Sequence, residues 1–104
     1  MYKIRGKVIN VEEIDINTKN GDFVKKLVTI EELDSGFNHQ HQFEIFGEEN
    51  INLIEKRQKL REGDLININF YIKSREYTGK FYNNLMVKDI IFENNEVSED
   101  TPPF

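Results

Sequence analysis

The sequence predicts an all-β domain with one helix: five strands closed into a barrel, with the helix between the third and fourth strands. Three observations carry that prediction. Apolar residues recur at every second position through most of the chain, which is the strand period. The period changes to a helical one only once, over residues 48–60. Turn-forming pairs and clusters, Asn20-Gly21, the stretch DSGFN (34–38) and Thr78-Gly79, separate the alternating runs. A chain of 104 residues is long enough for a single domain with its own core.

The first strand is read as KIRGKVINVEEI (3–14), bent near Gly6. Asn20-Gly21 is a strong hairpin signal, because both residues tolerate the left-handed backbone of a tight turn. The second strand, FVKKLVTIEEL (23–33), puts Val24, Val28 and Ile30 on one phase, and HQHQFEIFG (39–47) is the third. The helix is expected over EENINLIEKRQKL (48–60). It has Ile51, Ile54 and Leu60 at helical spacing, acids first and cations last, as the helix dipole favours. Gly63 in REGD is its expected stop. In the fourth strand, LININFYIKSREY (65–77), Ile66, Ile68, Phe70 and Ile72 point one way and Asn67, Asn69, Tyr71, Lys73 and Arg75 the other. FYNNLMVKDIIF (81–92) is the fifth. Three strands, a helix and two strands is the element order of an OB-fold, and the same count of elements also suits another small barrel or an α+β sheet.

Charge is placed unevenly. The net charge is −5, yet residues 1–92 hold 14 basic and 15 acidic side chains, and from Glu93 onward there are four acids and no cation. The expected organisation is a barrel domain over 1–92 and a disordered acidic tail over 93–104. A nearly neutral body can still carry a basic face. The chain has no cysteine, which excludes disulfides and thiolate metal sites. The N-terminal stretch MYKIRGKVIN lacks an apolar leader pattern, so a cytoplasmic protein without a membrane segment is the expectation.

The chemistry concentrates in the last two strands. If the Ile/Phe phase fills the barrel, the outward phase presents Tyr71, Lys73, Arg75, Tyr77 and Lys80, with Phe81 or Tyr82 beside them. Cations interleaved with rings suit single-stranded nucleic acid: the cations pair with phosphates, and rings stack on bases at about 1–3 kcal/mol each. Phe23, Lys25 and Lys26, after the first hairpin turn, are placed to clamp the same groove. The same residue types also suit a solvated strand face, and pattern does not separate the two. His39 and His41 share a strand face, but a polar face explains them better than a metal, and no metal or cofactor is expected. The acid pairs Glu12-Glu13, Glu31-Glu32 and Glu48-Glu49 sit at strand ends or a helix start, where neighbours diverge. No nucleophile or phosphate-loop motif is present, so an enzyme is not expected.

With these residues in view, IRGKVI, REGD and above all SREYTGKFY resemble a family of small, largely uncharacterised bacterial OB-fold proteins akin to single-stranded DNA-binding protein. In that family a stretch like SREYNGRWY follows a strand opened by Gly-Asp. Here Lys80 stands for Arg and Phe81 for Trp. The resemblance covers residues 2 to about 92. It implies single-stranded DNA binding with little sequence preference, in replication, recombination or repair, and homo-oligomers that lengthen the groove.

The tail EVSEDTPPF (96–104) resembles the acidic tip of bacterial single-stranded DNA-binding proteins, which closes on Pro-Phe. The matching positions are Asp100, Pro103 and Phe104, with Thr101 in place of an acid and Pro102 in place of an apolar residue. The resemblance implies that this tip docks on replication and repair proteins, its ring in a pocket and its carboxylate on a basic residue. The competing expectation is a protein-interaction module, whose exposed Tyr and Phe form an interface without nucleic acid.

Overall fold

The computed structural model describes residues 1–34, 36 and 39–93. Five strands, β1 (Tyr2–Thr18), β2 (Gly21–Glu32), β3 (Gln40–Phe46), β4 (Leu65–Tyr77) and β5 (Lys80–Phe92), close in the order β1-β2-β3-β5-β4, with α1 (Glu48–Ile54) between β3 and β4. All neighbours pair antiparallel except β3 and β5, which meet in parallel over two positions, Phe43↔Leu85 and Glu44↔Met86. This is the OB-fold barrel that the element order predicts.

Period-two alternation builds the core. Val8, Val28, Ile30, Phe43, Ile45, Ile66 and Ile68 are almost wholly buried. They come from four strands whose inward positions meet inside the barrel. Phe70 packs edge-on against Phe43, ring centroids 4.9 Å apart, and Ile51 of α1 joins the same cluster. Burying each such side chain is worth about 1.5–3 kcal/mol, so the barrel needs no cross-link.

Three details differ from the sequence expectation. The irregularity in β1 lies between Val8 and Asn10, where the pairing with β2 shifts register, and not at Gly6. Gly6 is instead a point of close approach: a Cβ there would stand 2.6 Å from Ile30 Cδ1 and 2.9 Å from the Glu31 carbonyl oxygen. The helix stops at Ile54, well short of residue 60. Glu55 ends it by turning its carboxylate back, accepting from the Leu60 N–H at 2.9 Å, so Leu60 reaches the core from a loop. Gly63, with φ of 96°, belongs to the turn into β4, and its N–H donates to the Val8 carbonyl. Third, Ile72 is 44% exposed, because β4 has by then run past its β1 neighbour, whose pairing ends at Tyr2↔Phe70.

Candidate nucleic-acid interface

Beyond Phe70, β4 pairs with β5 without β1, from Tyr71↔Met86 to Tyr77↔Lys80. Once β5 has also left β3 at Leu85, the two continue as a two-stranded ribbon from Lys73↔Asn84. Its two-residue turn puts Thr78 at φ of 50° and Gly79 at 81°. Positive φ at both central positions gives a turn whose twist matches the strands, which lets the pairing run to its end.

Alternation then assigns the faces. Tyr71, Lys73, Arg75 and Tyr77 lie on one face, with Asn84 opposite Lys73, Tyr82 opposite Arg75, and Lys80 opposite Tyr77. The structure therefore brings six of the sequence-predicted residues together: Tyr71, Lys73, Arg75, Tyr77, Lys80 and Tyr82. Tyr71, Tyr77 and Tyr82 are between 45% and 65% exposed, so their rings are open to stacking. Arg75, Tyr77, Tyr82 and Asn84 line a shallow hollow between them. Glu76 pairs with Phe81 on the opposite face, leaving three cations and no acid among the paired residues from Lys73 to Tyr77 and Lys80 to Asn84 on this one.

Phe81 is not part of that set. It sits with Ile72 and Leu85 on the ribbon's other face, 71% exposed. Adjacent residues of a strand point oppositely, so of Phe81 and Tyr82 only Tyr82 shares the cationic side.

From Asn84 a groove continues across the barrel, lined by Leu27, Gln42, Glu44 and Leu85. Lys25 and Phe23 lie on the outward phase of β2 at its far end. Lys25 Nζ is 3.7 Å from Glu44, and the Phe23 ring lies 5.9 Å from that of Phe46. Phe23 also borders a hollow that contains Glu13, Asp15, Asp22 and Glu48. Glu13, Asp15 and Asp22, however, pair with Lys26, Val24 and Asn17 on the hairpin face opposite Lys25, and Ile14 and Ile16 lie beside Lys25 and Phe23. On this outward surface the ribbon carries three cations, whereas Lys25 at the β2 end is already paired with Glu44. Phosphates are favoured only at the ribbon end.

Lys26 is elsewhere altogether. It shares the inward phase of Val24, Val28 and Ile30, and its ammonium lies 2.8 Å from both carboxylate oxygens of Glu55. A buried ammonium paired this way is not available to a phosphate. Two residues of the surface escaped the sequence reading. Phe46 shares the outward phase of Gln42 and Glu44 in QHQFEIF, and Asn84 follows Tyr82 by two. Both were visible as period two, but neither is a cation beside a ring.

His41 Nε2 lies 3.0 Å from Glu32 Oε1, and among the described residues no group of three or more His, Cys, Asp or Glu is arranged to hold a metal. No helix among the described residues is long and apolar enough to cross a membrane. Arg5 binds Glu93 through Nε at 2.7 Å and Nη2 at 3.0 Å. The Arg5 hydrogen bonds first, and that of Asn67 second, hold the Glu93 carboxyl below its ordinary range. Glu93, grouped with the tail on sequence, is thus tied to the barrel. Asp100, Pro103 and Phe104 lie outside the described residues.

A five-stranded closed barrel with one helix and an extended β4–β5 ribbon defines an OB-fold protein. The chain belongs to the family described as "Domain of unknown function (DUF3127)", whose model matches residues 3–90. No curated protein matches it. Among solved structures it is similar to the mitochondrial single-stranded DNA-binding protein Rim1 of S. cerevisiae. The TM-score is 0.64 at 18% identity, over 88% of this chain and 91% of that one. It is also similar to the N-terminal domain of PriB from Thermoanaerobacter tencongensis, described as dimeric, with TM-score 0.62 and 17% identity over 88% and 93% of the two chains. The OB domain of Ta0387 from Thermoplasma acidophilum aligns with TM-score 0.50 at 14% identity, covering 98% of this chain and 78% of that one. At these identities the likeness is one of fold.

Proposed function

We propose that this protein binds single-stranded DNA with little sequence preference, along the face that carries Tyr71, Lys73, Arg75, Tyr77, Lys80 and Tyr82. The observation that carries the reading is the placement of three rings and three cations on one side of the ribbon, with the acid of that segment on the other. Rings accept any base, and cations accept any phosphate, so such a face binds without reading sequence. Lys25 and Phe23 extend the path, more weakly, since Glu44 already pairs with Lys25 and repels the backbone there. The likeness in fold to Rim1, described as a single-stranded DNA-binding protein, supports this reading. In it the chain acts in replication, recombination and repair, and the tail residues Asp100, Pro103 and Phe104 bring in partner proteins.

The test is an anisotropy titration of a labelled dT oligonucleotide with the full chain, at several salt concentrations. Three phosphate-paired cations should give a slope of log K against log salt of about −2. Absence of binding even at low salt would overturn the reading. It would then favour the interaction module, for which one observation speaks. Ile72 and Phe81 are exposed apolar side chains on the ribbon's other face, interrupted by the hydrogen-bonded Ser74–Asn83 pair, and Tyr2, stacked on Phe70 at 5.6 Å, lies on the barrel side of Ile72. We assign these exposed apolar side chains to self-association. A Phe81→Glu chain should be monomeric by sedimentation while keeping the cationic face.

A further inference from the structure

At the other end of β5 lies a second groove, formed between the helix and the strand terminus. Leu53, Ile54, Ile90, Ile91 and Phe92 line it, with Lys56 and Arg57 alongside. Leu53 and Ile91 are 66% and 59% exposed, large apolar side chains presented to water on the same groove. Lys56 and Arg57 are exposed, and among the described residues neither has an ion-pair partner. Apolar walls beside two uncommitted cations recognise an acidic peptide that also carries apolar side chains.

The chain contains such a peptide. Residues 94–104 read NNEVSEDTPPF, with acids at Glu96, Glu99 and Asp100, apolar side chains at Val97 and Phe104, and no cation. The segment leaves the barrel beside the groove. Phe92 lines it, and the next residue, Glu93, is fixed by Arg5 and by its own N–H on the Leu65 carbonyl at 2.8 Å. Eleven residues reach at most about 36–40 Å, ample to turn back onto the neighbouring helix.

We propose that this groove holds the chain's own residues 94–104, the acids facing Lys56 and Arg57 and the apolar side chains covering Leu53 and Ile91. A tether this short gives an effective concentration in the millimolar range, so a groove with millimolar intrinsic affinity is about half filled and one about tenfold tighter is largely filled. Salt weakens the charged part. A tail held here is kept from other proteins and from the ribbon's cations, which makes the groove a resting place that controls when the tail is offered. The proposal depends on the groove alone and stands apart from the nucleic-acid reading.

The absence of cysteine permits one clean label on the full chain. A nitroxide attached through Thr101→Cys should broaden the amide and methyl resonances of Leu53, Ile54 and Ile91 at low salt. Intensity should return at about 0.5 M salt. It should also return in a chain carrying Lys56→Glu with Arg57→Glu, and in Leu53→Ser, both exposed changes that leave the core intact. Broadening should persist on dilution. The proposal is overturned if the signals of Tyr71 to Tyr82 broaden instead, which places the tail on the cationic face. It is also overturned if charge reversal changes nothing, if no signal broadens at low salt, or if dilution abolishes the effect and so makes a second copy the occupant.

Discussion

The Lys26 ammonium lies 2.8 Å from each carboxylate oxygen of Glu55, and the side chains are only 10% and 7% exposed. Glu55 also accepts from the Leu60 N–H, so one buried ion pair ties β2 to the loop that follows α1. Removing one partner leaves the other charged and dry. Lys26→Ala should lower the unfolding free energy by about 3–5 kcal/mol in urea melts. Lys26→Met combined with Glu55→Leu should recover most of it. A Lys26→Ala chain as stable as the parent, but weaker for oligonucleotide, would put the ammonium back on the binding face.

On the ribbon, rings and cations should separate by their response to salt. Tyr77→Ala is expected to weaken dT binding by about 1–3 kcal/mol without changing the salt slope. Lys73→Ala should reduce that slope by about one ion, in the same titrations. Equal slopes in the two variants contradict this division of labour.

Gly6 is tightly enclosed by β2. A methyl group there meets Ile30 Cδ1 at 2.6 Å and the Glu31 carbonyl oxygen at 2.9 Å, and a ladder carbonyl cannot move aside cheaply. Gly6→Ala should cost about 1–3 kcal/mol in thermal unfolding, the usual range for overpacking. Ile30→Val, which removes Cδ1, should recover part of that loss. Full recovery would show that the carbonyl contact is irrelevant.

Glu93 makes stability depend on pH in a predictable direction. Its folded carboxyl is held below the ordinary value of 4.5, through hydrogen bonds from Arg5 and then Asn67. A lowered acid contributes in full above 4.5 and loses its contribution as pH falls through the folded value. Glu93→Gln should therefore be less stable than the parent near neutral pH. The two stability curves should converge in acid, as denaturant melts from neutral to acid pH would show. Parallel curves would mean that the ion pair is not formed in solution.

Much of the fold was legible because alternation in β4 is regular: Leu65–Tyr77 opens and closes where the pattern places it, although its pairing with β5 shifts register between Asn69 and Phe70. The same rule sorts Tyr71 through Tyr82 by face. Lys26 escaped for a physical reason. Its inward phase with Val24 and Val28 was readable, but the partner that makes burial tolerable, Glu55, lies 29 residues away. The helix was overestimated because Leu60 keeps helical spacing while being carried by a loop. The acidic hollow beside Phe23 was beyond reach for the same kind of reason. Glu13, Asp15, Asp22 and Glu48 come from three elements and their edges, and only pairing of the strands assembles them.

The parallel contact of β3 with β5, two residue pairs long, is the barrel's shortest join. The groove running from Asn84 to Leu27 lies directly over it. An oligonucleotide stretched along that path would bridge both sides of the seam, like a stitch across a cuff. Amide hydrogens of Phe43 to Ile45 and Leu85 to Val87 would then exchange more slowly, by the factor that ligand saturation predicts. In a chain built this way, holding such a strand and holding the barrel shut would be one event.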